Sequence, residues 1–431
     1  MNNSTPYAHL FSGINAPEYA IQQLNEEGDY PLQCVYTSEI SPNAIKVQKD
    51  NFPSIPCFGD VSTVVERPNK PPVDLVIAGS PCQSFSCAGD RSGLEGKSGL
   101  LKEFWRFLQK EQPRAFIWEN VSSVVATPRS KPYKQRQWKR ILSAFASGGY
   151  FNPNIAVTES LPNDVLAREG GLAKQTDDGY HLAWVELDAI WSSPQSRKRI
   201  YMIGFKDIQA WRIFDALLYE RKSLKNHFSS PTTPLEKACE GYPPSMDFST
   251  HLQSPEEFKP LTRADFRRII DKNEGRGGEH DIIVEMAKEI LSSENLTADA
   301  SKYVYQMGEC FSLVFDKTKG TLPAPSHWKL TRNERLTTPC LMVGASEDGG
   351  RGNNASKPLG LLYVKNGLVK GRFVTPEETE ALMGFPRGWT KAAGKGGSRR
   401  RLVGGSMSVD CIKAVIRAYY ALSKKSSPLK H

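Results

Sequence analysis

The sequence predicts an α/β protein: an open, mostly parallel sheet wound with helices, followed by a second, less regular domain. Three observations carry this. Short apolar runs alternate with amphipathic helical stretches through the first 205 residues. The run Leu75-Val-Ile-Ala78 is apolar throughout, as a strand buried on both faces is, and stops at Gly79-Ser80-Pro81. After Phe205 the buried-strand runs thin out and loop-forming residues increase through about residue 370.

Residues 8–14, Ala-His-Leu-Phe-Ser-Gly-Ile, read as a first strand turning at Gly13, and Pro17 suits the first turn of a helix from about Ala16 to Leu24. Cys34–Thr37 is the second strand, ending at Glu39, with a helix over 42–51 behind it. An acid in that place either accepts the hydroxyls of a ribose or is a solvated charge before the helix. Residues 57–61, Cys-Phe-Gly-Asp-Val, read as a short third strand. Asp60 is open to two readings, an acceptor for an adenine amino group or the cap of the next turn.

Asp74–Ala78 is then the fourth strand, and Cys82 stands at its carboxyl end, where open α/β sheets place their ligands. A cysteine there is either a nucleophile or an inert core thiol. The polar stretch 83–98, with Gly89, Gly93, Gly96, Arg91 and Lys97, has the make-up of a lid that touches phosphate. A helix over 100–111 leads to the fifth strand, Ala115–Trp118, which ends in Glu119-Asn120-Val121. A thiol and a carboxylate on neighbouring strand ends are far less expected by chance than either alone.

Residues 128–140 hold six Lys and Arg and no acid, with Tyr133 and Trp138 interleaved, which is either a solvated helix face or a phosphate-contacting surface. Residues 161–181 read as a polar excursion, 182–190 as a strand, and Ile200–Gly204 as another strand of the same sheet. Arg197 and Arg199 alternate, so on a strand both would face one way. The later region suggests helices over 263–271 and 281–291, an exposed Gly- and Asn-rich loop over 344–358, a basic glycine-rich segment over 391–401, and a closing amphipathic helix over 410–422. The expected division is 1–205 plus 400–431 against 206–399.

At 431 residues the chain suffices for two or three domains. Eight scattered cysteines with no CxxC pair argue against a zinc site and a disulfide scaffold, and fit a reducing cytoplasm. No apolar run approaches membrane-spanning length, and the first residues do not read as a secretory signal. A net charge of +9 permits a polyanionic partner.

Taken in order, Phe11-Ser-Gly13, Glu39, Gly59-Asp60, Gly79-Ser-Pro-Cys-Gln-Ser-Phe-Ser86, Glu119-Asn-Val121, Gln195-Ser-Arg-Lys-Arg199, Thr375-Pro-Glu with Met383-Gly-Phe-Pro386, and Gly404-Gly-Ser406 resemble the motifs of the DNA (cytosine-5)-methyltransferase family. The resemblance covers 8–205 and 371–422. Two motifs depart from the family: the first is poor in glycine at Asn15-Ala16, and Gly405 stands where the last usually carries Asn. It implies a Rossmann-like S-adenosylmethionine-dependent methyltransferase sheet, mostly parallel with one antiparallel strand, and a target-recognition domain after it. It assigns Cys82 as nucleophile, Glu119 as acid, and Arg197 and Arg199 as electrophilic and phosphate-binding supports. Around S-adenosylmethionine it places Phe11, Gly13, Glu39, Ile40, Asp60, Val61, Pro81, Leu100 and Ser406. It further implies a monomer acting on double-stranded DNA, without metal or membrane, in the cytoplasm of a bacterium or encoded by a phage, as in restriction–modification. A tRNA cytosine-5 methyltransferase and a non-catalytic DNA-binding relative are the alternatives.

Overall fold

The computed structural model describes residues 4–81, 99–125, 132–150, 170–173, 179–193, 195, 197–226, 259–260, 263–275, 284–285, 287–288, 291–292, 310–315, 328–330, 359–365, 368–373 and 375–425. The chain divides into two compact units. The first comprises 1–189, 198–226 and 406–431, and the second 190–197 and 227–405.

The first unit is built on a seven-stranded sheet in the order β2-β1-β3-β4-β7-β6-β5. Its strands are β1 (Thr5–Leu10), β2 (Leu32–Ser38), β3 (Leu75–Ala78), β4 (Ala115–Val121), β5 (Gly170–Ala173), β6 (His181–Asp188) and β7 (Lys198–Phe205). β2, β1, β3 and β4 pair in parallel, whereas β4–β7, β7–β6 and β6–β5 are antiparallel. Two strands, β7 and β5, therefore run against the other five, one more than expected. All four residues of β3 and all seven of β4 are buried, as central strands covered by helices on both faces must be.

The helix Ala16–Glu27 takes Pro17 in its first turn, and Pro42–Asn51 is capped by the Ser41 side chain. Gly99–Glu111 brings Phe104, Trp105, Phe107 and Leu108 into one core with Phe116, Trp118 and Phe145. The helix Ala210–Asn226 packs on β6 and on the closing helix Val409–Lys425, and so belongs with the first sheet although it lies past residue 205.

Two strand-level expectations change. Residues 57–61 form no third strand. Cys57 makes a single bridge to Thr37, and Asp60 then starts the short helix Val61–Val64. Conversely, Gly170–Ala173, inside the stretch read as a polar excursion, is the edge strand β5. Its Gly171 faces Trp184 across the pair, and a Cβ there would sit 2.4 Å from the indole. Gly204 faces Phe116 in the same way, at 2.2 Å. In both pairs the glycine leaves the space that the opposite ring fills.

The second unit holds a five-stranded antiparallel sheet, β10-β9-β11-β12-β8, from β8 (Lys259–Pro260), β9 (Cys310–Phe315), β10 (Trp328–Leu330), β11 (Leu359–Lys365) and β12 (Leu368–Phe373). It also contains the helices Arg263–Asn273, Pro376–Leu382 and Gly396–Gly405. Thr375 and Glu378 form a reciprocal capping box on the second of these. The basic glycine-rich segment is thus in large part helical. Of residues 281–291, only 284–285, 287–288 and 291 are described, all helical. The stretch 344–358 lies outside the described residues.

Candidate active site

The carboxyl ends of β1 and β2 are tied together by their own polar groups. Ser12 donates from its backbone N–H (3.0 Å) and its Oγ (3.1 Å) to the Ser38 carbonyl. Gln48, buried on the helix behind, donates from Nε2 to Ser12 Oγ and to the Gly13 carbonyl, both at 2.8 Å. The Gly13 N–H donates to Glu39 Oε2 at 2.8 Å, and the Ile40 and Ser41 N–H groups donate to Oε1 at 2.9 and 2.8 Å. Glu39 thereby fixes the turn after β1 against the turn after β2. A carboxylate offers about four acceptor positions, so capacity remains for a hydroxyl.

Ile40, next to it, is 66% exposed and offers an aliphatic surface at the end of β2. Phe11 is half-buried at φ 55° and packs on the sheet core, as does Leu100. Val61 and Ser406 are buried, and Pro81 is partly so. Asp60 is exposed and caps its helix, Oδ1 accepting from the Ser62 N–H (2.9 Å) and Oγ (2.8 Å). The capping reading is therefore met, and Oδ2 takes no part in it. An acceptor carboxylate, an exposed aliphatic chain and an aromatic ring at adjacent strand ends fit a nucleoside. S-adenosylmethionine carries one.

The second cluster lies at the ends of β3, β4 and β7. Glu119 is 9% exposed, and its Oε1 lies 3.2 Å from Arg199 Nε. The register explains the pairing. Glu119 faces Tyr201 and Val121 faces Arg199, so the acid and the guanidinium are diagonal neighbours on one face. On the other side, a Cβ built on Gly79 would come within 3.5 Å of Glu119 Oε2 and 2.8 Å of Met407 Cε. The turn that leads toward Cys82 thus runs directly beside this carboxylate. Cys82 itself, with 83–98, lies outside the described residues, as do residues 128–131 of the basic stretch.

Arg197 behaves differently from Arg199. It stands one residue before β7, in the second unit, and its Nη2 donates to the Gly404 carbonyl at 3.0 Å. The alternation that would put both guanidinia on one strand face does not apply. Gln195 is also buried in the second unit, donating from Nε2 to the Leu382 carbonyl and to Met383 Sδ. Sequence reasoning missed Gln48, Ser80, Trp118 and the structural part of Asn120. A polar side chain on the inner face of the helix Pro42–Asn51 was the available signal for Gln48.

A model of the C-5 cytosine-specific DNA methylase family matches residues 7–160 and 169–421. Over 200 residues the chain is 32% identical to the type II methyltransferase M.NlaIV of Neisseria lactamica, covering 46% of this chain and 40% of that protein. It is 31% identical to the type II methyltransferase M.HpaII of Haemophilus parainfluenzae, over 46% of this chain and 45% of that one. It is 40% identical to the orphan methyltransferase M.Rho11sI of Bacillus phage rho11s, over 46% of this chain and 32% of that protein. The chain spans less than half the length of each of these relatives.

Proposed function

Because the chain belongs to the C-5 cytosine-specific DNA methylase family, we propose that it transfers a methyl group from S-adenosylmethionine to carbon 5 of a cytosine in DNA. The observation that carries the reading is the Glu119–Arg199 pair on the rim beside Gly79, three residues before Cys82. Glu39 would accept the ribose hydroxyls and Asp60 the adenine amino group, with Phe11 and Ile40 against the ring. When bound, the cofactor supplies an electrophilic methyl group.

Carbon 5 of cytosine is a weak nucleophile. The Cys82 thiolate would add to carbon 6, making the ring an enamine at carbon 5. Charge then builds on the N3–O2 side. Glu119 would hold a proton at N3, and Arg199, already beside it, would donate to O2. After methyl transfer, loss of the carbon 5 proton and expulsion of the Cys82 sulfur restore the double bond. Since neither carbon is reachable inside a duplex, the base must leave the stack, at a cost of roughly a few kcal/mol. Arg197, held by the Gly404 carbonyl, is assigned here to shaping the second unit rather than to the ring.

Bisulfite sequencing of DNA from cells expressing the wild-type protein or Cys82→Ala tests this. One recurring protected cytosine context is expected for the wild type and none for the variant. Equal protection in both would overturn the assignment of Cys82. Protection of tRNA and not of DNA would move the substrate to RNA.

A further inference from the structure

We propose that Trp118 and Asn120 are positioning residues that clamp Ser80 and so fix the chain where it leads toward Cys82. This rests on the methyltransferase reading above. Ser80 is 4% exposed and directly follows Gly79. Its Oγ accepts from Trp118 Nε1–H at 3.0 Å and from Asn120 Nδ2–H at 3.2 Å, and its carbonyl accepts from the same Asn120 amide at 3.1 Å. Asn120 is itself oriented, because its Oδ1 accepts from the Val121 N–H at 2.9 Å. Side chain and main chain of Ser80 are thus both held, by two residues of one strand.

That strand is also the one that bears the acid. Along β4 successive side chains alternate between faces. Trp118 and Asn120 take one face and Glu119 the other, where it meets Arg199. A single buried central strand therefore presents the carboxylate on one side and grips Ser80 on the other. The parallel register continues the same logic, since Ala78, the last residue of β3, pairs with Trp118, and the residues that follow them in the chain are Gly79 and Glu119. Consecutive Cα atoms are about 3.8 Å apart, so fixing Ser80 narrows the positions open to the thiol two residues on. A reacting pair displaced by about 1 Å loses on the order of 100-fold in rate. The clamp acts on that displacement and leaves the nucleoside-binding strand ends, β1 and β2, untouched.

The test uses the full-length protein and a duplex carrying the cytosine context found by bisulfite sequencing. Four forms are compared: wild type, Trp118→Phe, Asn120→Ala and Ser80→Ala. For each, S-adenosylmethionine binding is measured by calorimetry, methyl transfer gives kcat and KM, and a 5-fluorocytosine duplex gives the rate of adduct formation. The expected result is cofactor affinity and KM within about two-fold of wild type. The adduct rate should fall together with kcat, about ten-fold for Trp118→Phe and about 100-fold for Asn120→Ala and Ser80→Ala. Ser80→Thr, which keeps the Oγ, should recover most of the Ser80→Ala loss. Unchanged kcat and adduct rate in all three variants would overturn the clamp while leaving the methyltransferase reading in place. So would a loss of cofactor binding in step with activity, which marks a fold defect. A wild-type protein that forms no adduct would overturn the methyltransferase reading, and the clamp with it.

Discussion

In the first unit, Phe116, Trp118 and Phe145 sit ring against ring between strand and helix, with centroids 4.9 Å apart for Phe116–Phe145 and 5.3 Å for Trp118–Phe145. In the second, the corresponding place between the helices Pro376–Leu382 and Gly396–Gly405 is taken by charge. Arg399 donates to Glu377 Oε1 (2.6 Å), Glu380 Oε1 (2.8 Å) and Thr390 Oγ1 (3.1 Å), and Glu380 also accepts from the Gly388 and Thr390 N–H groups. Glu380 is fully buried. The difference teaches where each unit is vulnerable. A ring core loses stability in proportion to the volume removed or added. A buried charge network fails when one member goes, because the remaining charges are left without partners.

The largest effect is expected from Arg399→Ala. It leaves the buried Glu380 carboxylate with its Gly388 and Thr390 hydrogen bonds but without its counter-charge, and should cost about 3–5 kcal/mol, read by urea unfolding with a probe in the second unit. A loss under about 1 kcal/mol would show that the network is not what holds these helices. Next is Gly204→Ala. The added methyl falls against the Phe116 ring, and overpacking of this kind costs about 1–3 kcal/mol. Gly204→Ala with Phe116→Leu should recover part of it. Absence of any recovery would mean the two sites do not share space.

The smallest effect concerns pH. Partial burial pulls the Glu377 carboxyl up, but its own backbone N–H, Arg399 and Thr375 outweigh that and hold it below the usual carboxylate range. A depressed carboxyl contributes stability that is complete above its unfolded pKa of about 4.3 and is lost as pH falls through the lower folded value. Glu377→Gln should therefore flatten the stability–pH profile below about pH 4 and leave its slope near neutrality unchanged. A profile parallel to wild type at acid pH would contradict this.

Much of the first sheet was legible because its strands are short apolar runs ending in Gly, Pro or acid. Leu75–Ala78 is the clearest, and the helix over 42–51 appears with the bounds its Pro and its flanking Ser41 suggest. Residues 57–61 misled because a Gly–Asp pair inside an apolar run can end a bridge and cap a helix as readily as continue a strand. Gly170-Gly171 misled in the opposite sense, since the pairing ring of Trp184 is remote in sequence. In the second unit a usable signal was passed over. Asn366-Gly367 separates the paired strands β11 and β12, and Asn-Gly between two strand-like runs is a strong hairpin mark. At the site, residue types at strand ends pointed to Glu39 and Glu119. The split between Arg197 and Arg199 was hidden, because it depends on where β7 begins and on the partner Gly404, far along the chain.

The most direct test is the mass of the protein after incubation with S-adenosylmethionine and a duplex bearing 5-fluorocytosine at the protected site. A denaturation-resistant protein–DNA adduct, mapped by peptide mass to Cys82 and absent in Cys82→Ala, is the predicted result. Methylation of ordinary cytosine by Cys82→Ala, or an adduct mapped to any other residue, would contradict it.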